Sequence, residues 1–247
     1  MTWRQRSRVV GRRPAPGRLA VVTFDATGTL FHAPRLGAIY AEVLVRHGLL
    51  ADEPTSRRTL DALIPEVWRE LACSSDPRRD RFASHPRGAR GYWYDVLVRL
   101  CQRLEIGRPS PFAAAELFDR FAHAGAWELY ADVVPALEGL RRRGLRLAVI
   151  SNWDERLPAL LARLGIGRLL EATIYSAAAG VEKPHPLIFQ RALAALRVAP
   201  EEALHVGDRQ LEDVEGAEGA GMHAWRIDRR RAGARLDDWL DEPGAGP

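Results

Sequence analysis

The sequence predicts an α/β fold: a doubly wound, Rossmann-like parallel sheet with an inserted all-helical cap domain. Five short apolar, β-branched runs indicate buried strands, and the later ones are separated by segments with the spacing of amphipathic helices. The stretch at about 34–125 breaks this alternation, because it has helical patterns and no strand signal. Strands that alternate with helices form right-handed crossovers and a parallel sheet.

The strands and helices of the predicted sheet follow one another along the chain. The predicted strands are 19–24, 145–150, 172–175, 203–206 and 223–227. The helices predicted between them are 133–143, 156–164 and 187–196. Gly144 follows the first of these helices and is a typical C-terminal stop. The Gly216–Gly221 stretch lacks the spacing of a phosphate-binding loop, so we expect it to allow close helix packing.

The insertion is predicted to contain four helices, at 36–48, 57–72, 91–104 and 112–122, with a connector rich in Pro, Arg and Ser at 74–90. Its aromatic residues recur at helical spacing, which predicts that they form its core. They are Tyr92, Trp93, Tyr94, Phe112, Phe118 and Phe121. The predicted units are a basic tail at 1–18, a sheet domain at 19–33 and 126–247, and the helical cap at 34–125.

Composition narrows the class of protein. No apolar run is long enough to cross a bilayer, and the N-terminal segment does not resemble a secretory signal. Cys73 and Cys101 cannot build a disulfide framework, so we expect free thiols and a cytoplasmic location. The pI near 9.5 arises from six arginines within 1–18, which are typical of a solvated tail. The sequence therefore predicts no nucleic-acid or membrane partner, and it leaves the oligomeric state open.

One lysine stands out among 36 basic residues. The other 35 are arginines, so Lys183 is kept against a strong bias towards arginine. Lysine is a compact ammonium, whereas arginine is a wide planar fork. Lys183 is therefore a candidate for a narrow site that needs a point charge.

Polar residues follow the predicted strands at the points where those strands end. They are Asp25, Ser151, Lys183, Asp208 and Asp213. The carboxyl ends of parallel strands meet at one edge of a sheet, which is where such folds bind ligands. Carboxylates suit Mg²⁺, a hydroxyl and an ammonium can neutralise phosphoryl oxygens, and one carboxylate can act as a nucleophile.

Four segments at these strand ends occur in order: Phe24-Asp25-Ala26-Thr27-Gly28-Thr29-Leu30, Ser151-Asn152, Lys183-Pro184 and Gly207-Asp208-Arg209-Gln210-Leu211-Glu212-Asp213. They resemble motifs I to IV of the haloacid dehalogenase (HAD) superfamily of hydrolases. The resemblance covers residues 19–227. It is strongest to subfamily I proteins with a helical C1 cap, and among these to the hydrolase-domain-containing-protein-3 group.

The resemblance implies a Mg²⁺-dependent phosphatase that acts on a small phosphorylated metabolite. Asp25 would be the nucleophile, forming an aspartyl-phosphate, and also a metal ligand. The backbone carbonyl of Thr27 and the side chain of Asp208 would complete the protein's metal ligands, with Asp213 beside them in the metal set. Thr29 would position Asp25.

The remaining motif residues would handle the substrate. Ser151 and Asn152 would bind the phosphoryl group together with Thr27, and Lys183 would offset negative charge around the nucleophile. Ser151 and Lys183 are thus both catalytic and substrate-binding candidates. We expect structural roles for His185, His205 and Trp153.

One position departs from the phosphatase pattern. Phosphatases of this superfamily usually carry a second aspartate two residues after the nucleophile, as the general acid and base, and this chain has Thr27 there. A hydroxyl is too weak an acid for that role. We therefore expect slow hydrolysis of ordinary alcohol esters, or activity confined to good leaving groups such as aryl or acyl phosphates.

The same scaffold leaves two alternatives open. A metal-independent L-2-haloacid dehalogenase also lacks the second aspartate, and a catalytically weak member could serve as a binding or scaffold protein. A phosphonoacetaldehyde hydrolase would need a lysine in the insertion, and none is present. Taken singly, the motif residues could also be ordinary turn and helix-cap residues.

Overall fold

The computed structural model describes residues 19–240 except 52 and 74–77. The strands are β1 (Val21–Phe24), β2 (Phe31–His32), β3 (Glu128–Leu129), β4 (Arg146–Ser151), β5 (Ala172–Tyr175), β6 (Ala203–Gly207) and β7 (His223–Arg226). Five of them form a parallel sheet in the order β5-β4-β1-β6-β7. This confirms the predicted fold class. The basic tail predicted at 1–18 lies outside the described residues.

Helices pack against the sheet, and other helices make up the region inserted into it. They are α1 (Leu36–Arg46), α2 (Pro54–Cys73), α3 (Gly88–Arg103), α4 (Pro111–Arg120), α5 (Val133–Arg142), α6 (Leu157–Arg163), α7 (Ser176–Ala179), α8 (Pro186–Leu196) and α9 (Gly216–Gly219). Within the described residues, no helix has the length and apolar character required to span a membrane.

The register of β1 aligns the strand ends. All four residues of β1 are buried, as expected for a central strand covered on both faces. Phe24 at its end lies opposite Val149 of β4 and Val206 of β6. The backbone N–H of Asp25 continues the ladder by donating to the carbonyl of Val206 at 2.9 Å. The residues that follow β1, β4 and β6 therefore emerge at one edge of the sheet.

The four helices α1–α4 form the predicted all-helical insertion around an apolar core of their own. Tyr92, Phe118 and Phe121 are buried in that core, as the sequence predicts. The prediction was wrong for Phe112, which is 79% exposed near the start of α4. Helical spacing places a residue on a helix, but it does not show whether a neighbouring element covers that part of the helix.

The structure contains elements that the sequence did not predict, among them the short helix α7. Strands β2 and β3 pair antiparallel where the chain leaves the sheet domain and returns to it, with Phe31 opposite Leu129. A π-helical turn at Gln210–Glu215 leads into α9. The expected close packing at the glycine-rich stretch is confirmed, because a Cβ on Gly216 would lie 2.9 Å from the Phe189 ring.

Candidate active site

The ammonium group of Lys183 lies at the centre of the strand-end cluster. Its Nζ donates to Asp25 Oδ1 and to Asp213 Oδ1, both at 2.6 Å, and to the carbonyl of Ile150 at 2.8 Å. The three hydrogens of an ammonium are matched by these three acceptors. Lys183 is only 3% exposed. The sequence prediction that this lysine occupies a narrow, charged site agrees with its surroundings.

Charge pairing keeps this cluster ionised despite burial. Burial alone would lower the pKa of Lys183, but the carboxylates of Asp213 and Asp25 raise it above its usual value. Burial would likewise raise the pKa of Asp213, but the charge of Lys183 outweighs this and holds that pKa well below its usual range. The buried pair is therefore an ammonium and a carboxylate.

Asp213 is held from several sides. Its Oδ1 also lies 3.3 Å from Nε2 of His205, and its Oδ2 accepts the backbone N–H of Arg209 at 2.9 Å. Burial lowers the pKa of His205, whose Nδ1 lies 2.9 Å from the hydroxyl of Thr23. Because both oxygens of Asp213 already accept hydrogen bonds, its geometry favours fixing Lys183 over the metal-ligand role in the predicted set.

The carboxylate of Asp25 faces the cavity but is held in one orientation. Its Oδ1 accepts hydrogen bonds from Lys183 Nζ and from the hydroxyl of Ser151, the latter at 2.9 Å. Ser151 is almost fully buried at the end of β4. Its hydroxyl thus contacts the predicted nucleophile, at the place where the sequence predicts phosphoryl binding.

Asp208 carries the unbalanced charge of the site. Its Oδ1 is buried and has no hydrogen-bond partner among the described residues. Burial, with repulsion from Asp25 and Asp213, raises its pKa from 3.8 to about 7. One carboxylate oxygen from each of these three residues lies within 4.8 Å of the others. A cluster of oxygen ligands with an unpaired carboxylate fits a hard divalent cation such as Mg²⁺.

The loop after β1 closes against this carboxylate. Gly28 has a φ of +89°, and a Cβ there would lie 2.8 Å from Asp208 Oδ2. The loop therefore needs glycine both for its backbone conformation and for this close approach.

The hydroxyls of Thr27 and Thr29 in the first motif have different surroundings. The hydroxyl of Thr27 accepts a hydrogen bond from the indole N–H of Trp153 at 2.9 Å. The hydroxyl of Thr29 is buried without a hydrogen-bond partner among the described residues, so it does not position Asp25 through a hydrogen bond. The carbonyl of Thr29 instead accepts from Arg229.

Asn152 supports the lysine loop. Its side-chain amide accepts from the backbone N–H of Lys183 at 2.7 Å and donates to the carbonyl of Lys183 at 3.0 Å. This arrangement favours a positioning role over the predicted substrate-binding role. It also explains why Ser151 and Asn152 occur together, since one residue contacts the nucleophile and the other holds the loop that carries the lysine. His185 accepts from the backbone N–H of Leu187 at the start of α8, as a structural residue would.

A cavity of about 520 Å³ lies between the insertion and these strand ends. Two buried ion pairs flank it: Arg81 from the insertion binds Glu182, and Arg156 binds Asp154 with two nitrogens, at 2.6 and 2.8 Å. The indole N–H of Trp93 in α3 also donates to Asp154, at 2.8 Å. Sequence reasoning missed these pairs.

The sequence did contain part of the signal for them. Asp154 follows β4 just as Asp25 follows β1, and Glu182 precedes the lone lysine. Arg81 and Trp93, however, come from the insertion, and the spacing along the chain does not identify them as partners. Arg156 lies only two residues after Asp154 in the same loop, so this pair is a local one.

Comparison with known proteins agrees with this geometry. Residues 19–221 match the haloacid dehalogenase-like hydrolase family. Human haloacid dehalogenase-like hydrolase domain-containing protein 3 is 33% identical over 213 residues, covering 85% of this chain and 82% of that protein. The glyceraldehyde 3-phosphate phosphatase of Methanopyrus kandleri is 33% identical over 220 residues, covering 85% and 84%.

Among solved structures, the L-2-haloacid dehalogenase of Xanthobacter autotrophicus matches with a TM-score of 0.64 and 24% identity, covering 93% of this chain and 85% of that one. This likeness shows the fold and does not distinguish a dehalogenase from a phosphatase. The family match, the relatives and the strand-end cluster agree with one another. The chain belongs to the haloacid dehalogenase-like hydrolases.

Proposed function

We propose that the protein is a Mg²⁺-dependent phosphatase that acts through an aspartyl-phosphate on Asp25. The observation that carries the proposal is the arrangement of Asp25. Its carboxylate faces the cavity, is fixed by Ser151 and Lys183, and lies beside the unpaired carboxylate of Asp208. The relative from Methanopyrus kandleri, a glyceraldehyde 3-phosphate phosphatase, supports phosphate-ester chemistry over dehalogenation.

In the proposed reaction, a carboxylate oxygen of Asp25 attacks the phosphorus atom and the bond to the leaving oxygen breaks. Water then attacks the aspartyl-phosphate, releasing inorganic phosphate and restoring Asp25. Asp25 and Asp208, with the backbone carbonyl of Thr27, would hold Mg²⁺, which supplies positive charge to the phosphoryl oxygens. Lys183 limits the electrostatic cost of bringing a phosphate dianion to a carboxylate.

The weak point of this site is proton delivery to the leaving group. Thr27 occupies the position that would carry a general acid, and its hydroxyl is bound to Trp153. A departing alkoxide would have to leave without protonation by the protein. The site should therefore favour esters whose leaving group is stable as an anion without protonation.

The replacement Asp25→Asn tests the nucleophile. It should lower Mg²⁺-dependent turnover of para-nitrophenyl phosphate by roughly 10³-fold or more, because an amide oxygen cannot form the covalent intermediate. Asp119→Asn is the matched control, since Asp119 pairs with Arg90 on the surface of the insertion. Phosphatase activity that survives Asp25→Asn would contradict the proposal. So would chloride release from 2-chloropropionate without metal in a protein that hydrolyses no phosphate ester.

The replacement Thr27→Asp tests the missing general acid. A carboxyl group at this position should raise kcat/KM for alkyl phosphates by about 10²–10⁴-fold and change para-nitrophenyl phosphate much less. Thr27→Asn, which has the same shape without the acidity, should give no such gain. Equal rates for the Asp and Asn variants on an alkyl ester would show that proton delivery does not limit the enzyme.

The replacement Asp208→Asn tests the metal site. In metal-free protein the raised pKa of Asp208 means that wild type loses stability as pH rises from about 4 to about 7, where the folded state loses its proton. The Asn variant should therefore be the more stable form above pH 7, as measured by thermal unfolding in EDTA. Saturating Mg²⁺ should stabilise wild type, by about 2.7 kcal/mol at one hundred times Kd, and should stabilise the Asn variant much less. An equal Mg²⁺ shift in both proteins would remove Asp208 from the metal site.

A further inference from the structure

We propose that the cavity selects aryl phosphates, the phosphate monoesters of planar aromatic alcohols, over alkyl and acyl phosphates. This inference rests on the proposed phosphatase function and specifies its substrate class. Thr27 alone allows both aryl and acyl phosphates, because both have good leaving groups. The wall of the cavity distinguishes between them.

The cavity is far larger than a phosphoryl group, and aromatic rings form a large part of its wall beyond Asp25. Its volume of about 520 Å³ is that of a site for a whole small organic molecule. Indole and phenyl rings from both the insertion and the strand-end loops face it: Trp68, Phe82, Trp93, Phe118, Trp127 and Trp153. Such walls bind flat apolar groups by area burial and by stacking.

The ring nearest the chemistry is Trp153. Its indole N–H is bound to the hydroxyl of Thr27, the residue at the leaving-group position. The ring packs against Trp127 with centroids 5.3 Å apart and edge-on against Phe31 at 6.0 Å. These contacts fix the ring before a substrate arrives, so little side-chain entropy is lost on binding. A leaving group attached to the phosphorus would lie beside this ring.

The arginines deepest in the wall, Arg81 and Arg156, are already paired with buried carboxylates. Arg81 is paired with Glu182, and Arg209 with Glu212. Arg156 uses its nitrogens on Asp154 and on the carbonyl of Phe118, and its guanidinium carbon lies 3.8 Å from the centroid of the Phe118 ring. A sugar or carboxylate moiety would have to break the largely buried pairs of Arg81 and Arg156, whereas an aromatic ring leaves them intact. The pair of Arg209 lies at the surface. Arg69 also lines the cavity, but it is exposed on α2.

The chemistry favours the same class. A phenol has a pKa near 10, as in tyrosine, whereas the pKa of an ordinary alcohol is close to that of water, about 15.7. The P–O bond to a phenolate can therefore break as Asp25 attacks, and solvent protonates the released phenolate. Water then hydrolyses the aspartyl-phosphate. In the net reaction, one aryl phosphate and one water give one phenol and one inorganic phosphate.

The test compares three substrates in the Mg²⁺-loaded enzyme. Phenyl and 1-naphthyl phosphate have leaving groups of similar acidity and differ in ring area, and acetyl phosphate has a better leaving group without a ring. The expected order of kcat/KM is 1-naphthyl above phenyl by about ten-fold or more, from the added apolar area, with acetyl phosphate below 1-naphthyl phosphate. Equal values for the two aryl esters, or a preference for acetyl phosphate, would overturn the proposal.

Two pairs of variants assign the preference to the cavity wall. Phe118→Leu should lower the 1-naphthyl to phenyl ratio, whereas Phe112→Leu, on the exposed part of the same helix, should leave it unchanged. Trp153→Leu should lower the ratio, and Trp153→Phe should keep most of it, because a ring remains while the hydrogen bond to Thr27 is lost. A ratio unchanged in both Phe118→Leu and Trp153→Leu would overturn the assignment.

Calorimetric binding of the two aryl esters to Asp25→Asn separates this inference from the proposed function. Tighter binding of 1-naphthyl phosphate supports the aromatic site even if turnover is absent. If the protein hydrolyses acetyl phosphate but binds the two aryl esters equally, the aryl preference is contradicted and the proposed phosphatase function still holds. No Asp25-dependent hydrolysis of any ester would refute the phosphatase instead.

Discussion

The whole site depends on one buried ammonium. Lys183 lies between Asp25 and Asp213 at 2.6 Å from each, and it is the only lysine in the chain. Two ionised carboxylates could not be buried so close together without a cation between them, since each unpaired charge in such a place costs several kcal/mol. With Lys183 assigned to these two, Oδ1 of Asp208 has no hydrogen-bond partner among the residues that the structure describes. That remaining charge is what makes the site suited to a divalent ion.

The sheet and its loops place this ammonium with little freedom. The parallel register brings the ends of β1, β4 and β6 together, and the carbonyl of Ile150 accepts the third hydrogen of Lys183. Asn152 binds the lysine's own backbone on both sides, and His205 and the backbone of Arg209 hold Asp213. The nucleophile is thus oriented directly by Ser151, Lys183 and the backbone of β6, and these contacts are themselves supported by neighbouring groups. Such support reduces the reorganisation needed when a substrate binds.

The sequence was sufficient to predict this edge of the sheet because strand ends in a parallel sheet converge whatever the loops do. Asp25, Lys183 and Asp208 were placed correctly from that rule and from the strand pattern. The same rule does not predict the contacts that side chains make across the cavity. Trp93 meets Asp154 only through the folded position of the insertion. Periodicity alone treats Phe112 and Phe118 as equivalent.

The details that the sequence does not predict share one physical cause. A strand of two residues, such as β2, is too short to show the alternation of apolar and polar residues that identifies strands. The sequence around Asn152 is the same whether its amide binds the backbone or a ligand. Helical spacing likewise cannot distinguish a ring that packs into a core from one that lines a cavity, and Phe118 does both. Such choices depend on which groups meet in three dimensions and on which polar atoms are already satisfied.

The most direct test of the central claim is a crystal structure of the protein with Mg²⁺ and a tetrahedral or planar phosphoryl analogue. The account predicts a metal ion bound by the carboxylates of Asp25 and Asp208, with Lys183 still paired to Asp213 and the analogue beside Asp25. A metal ion bound away from Asp208, or Lys183 withdrawn from both of its aspartates, would contradict it.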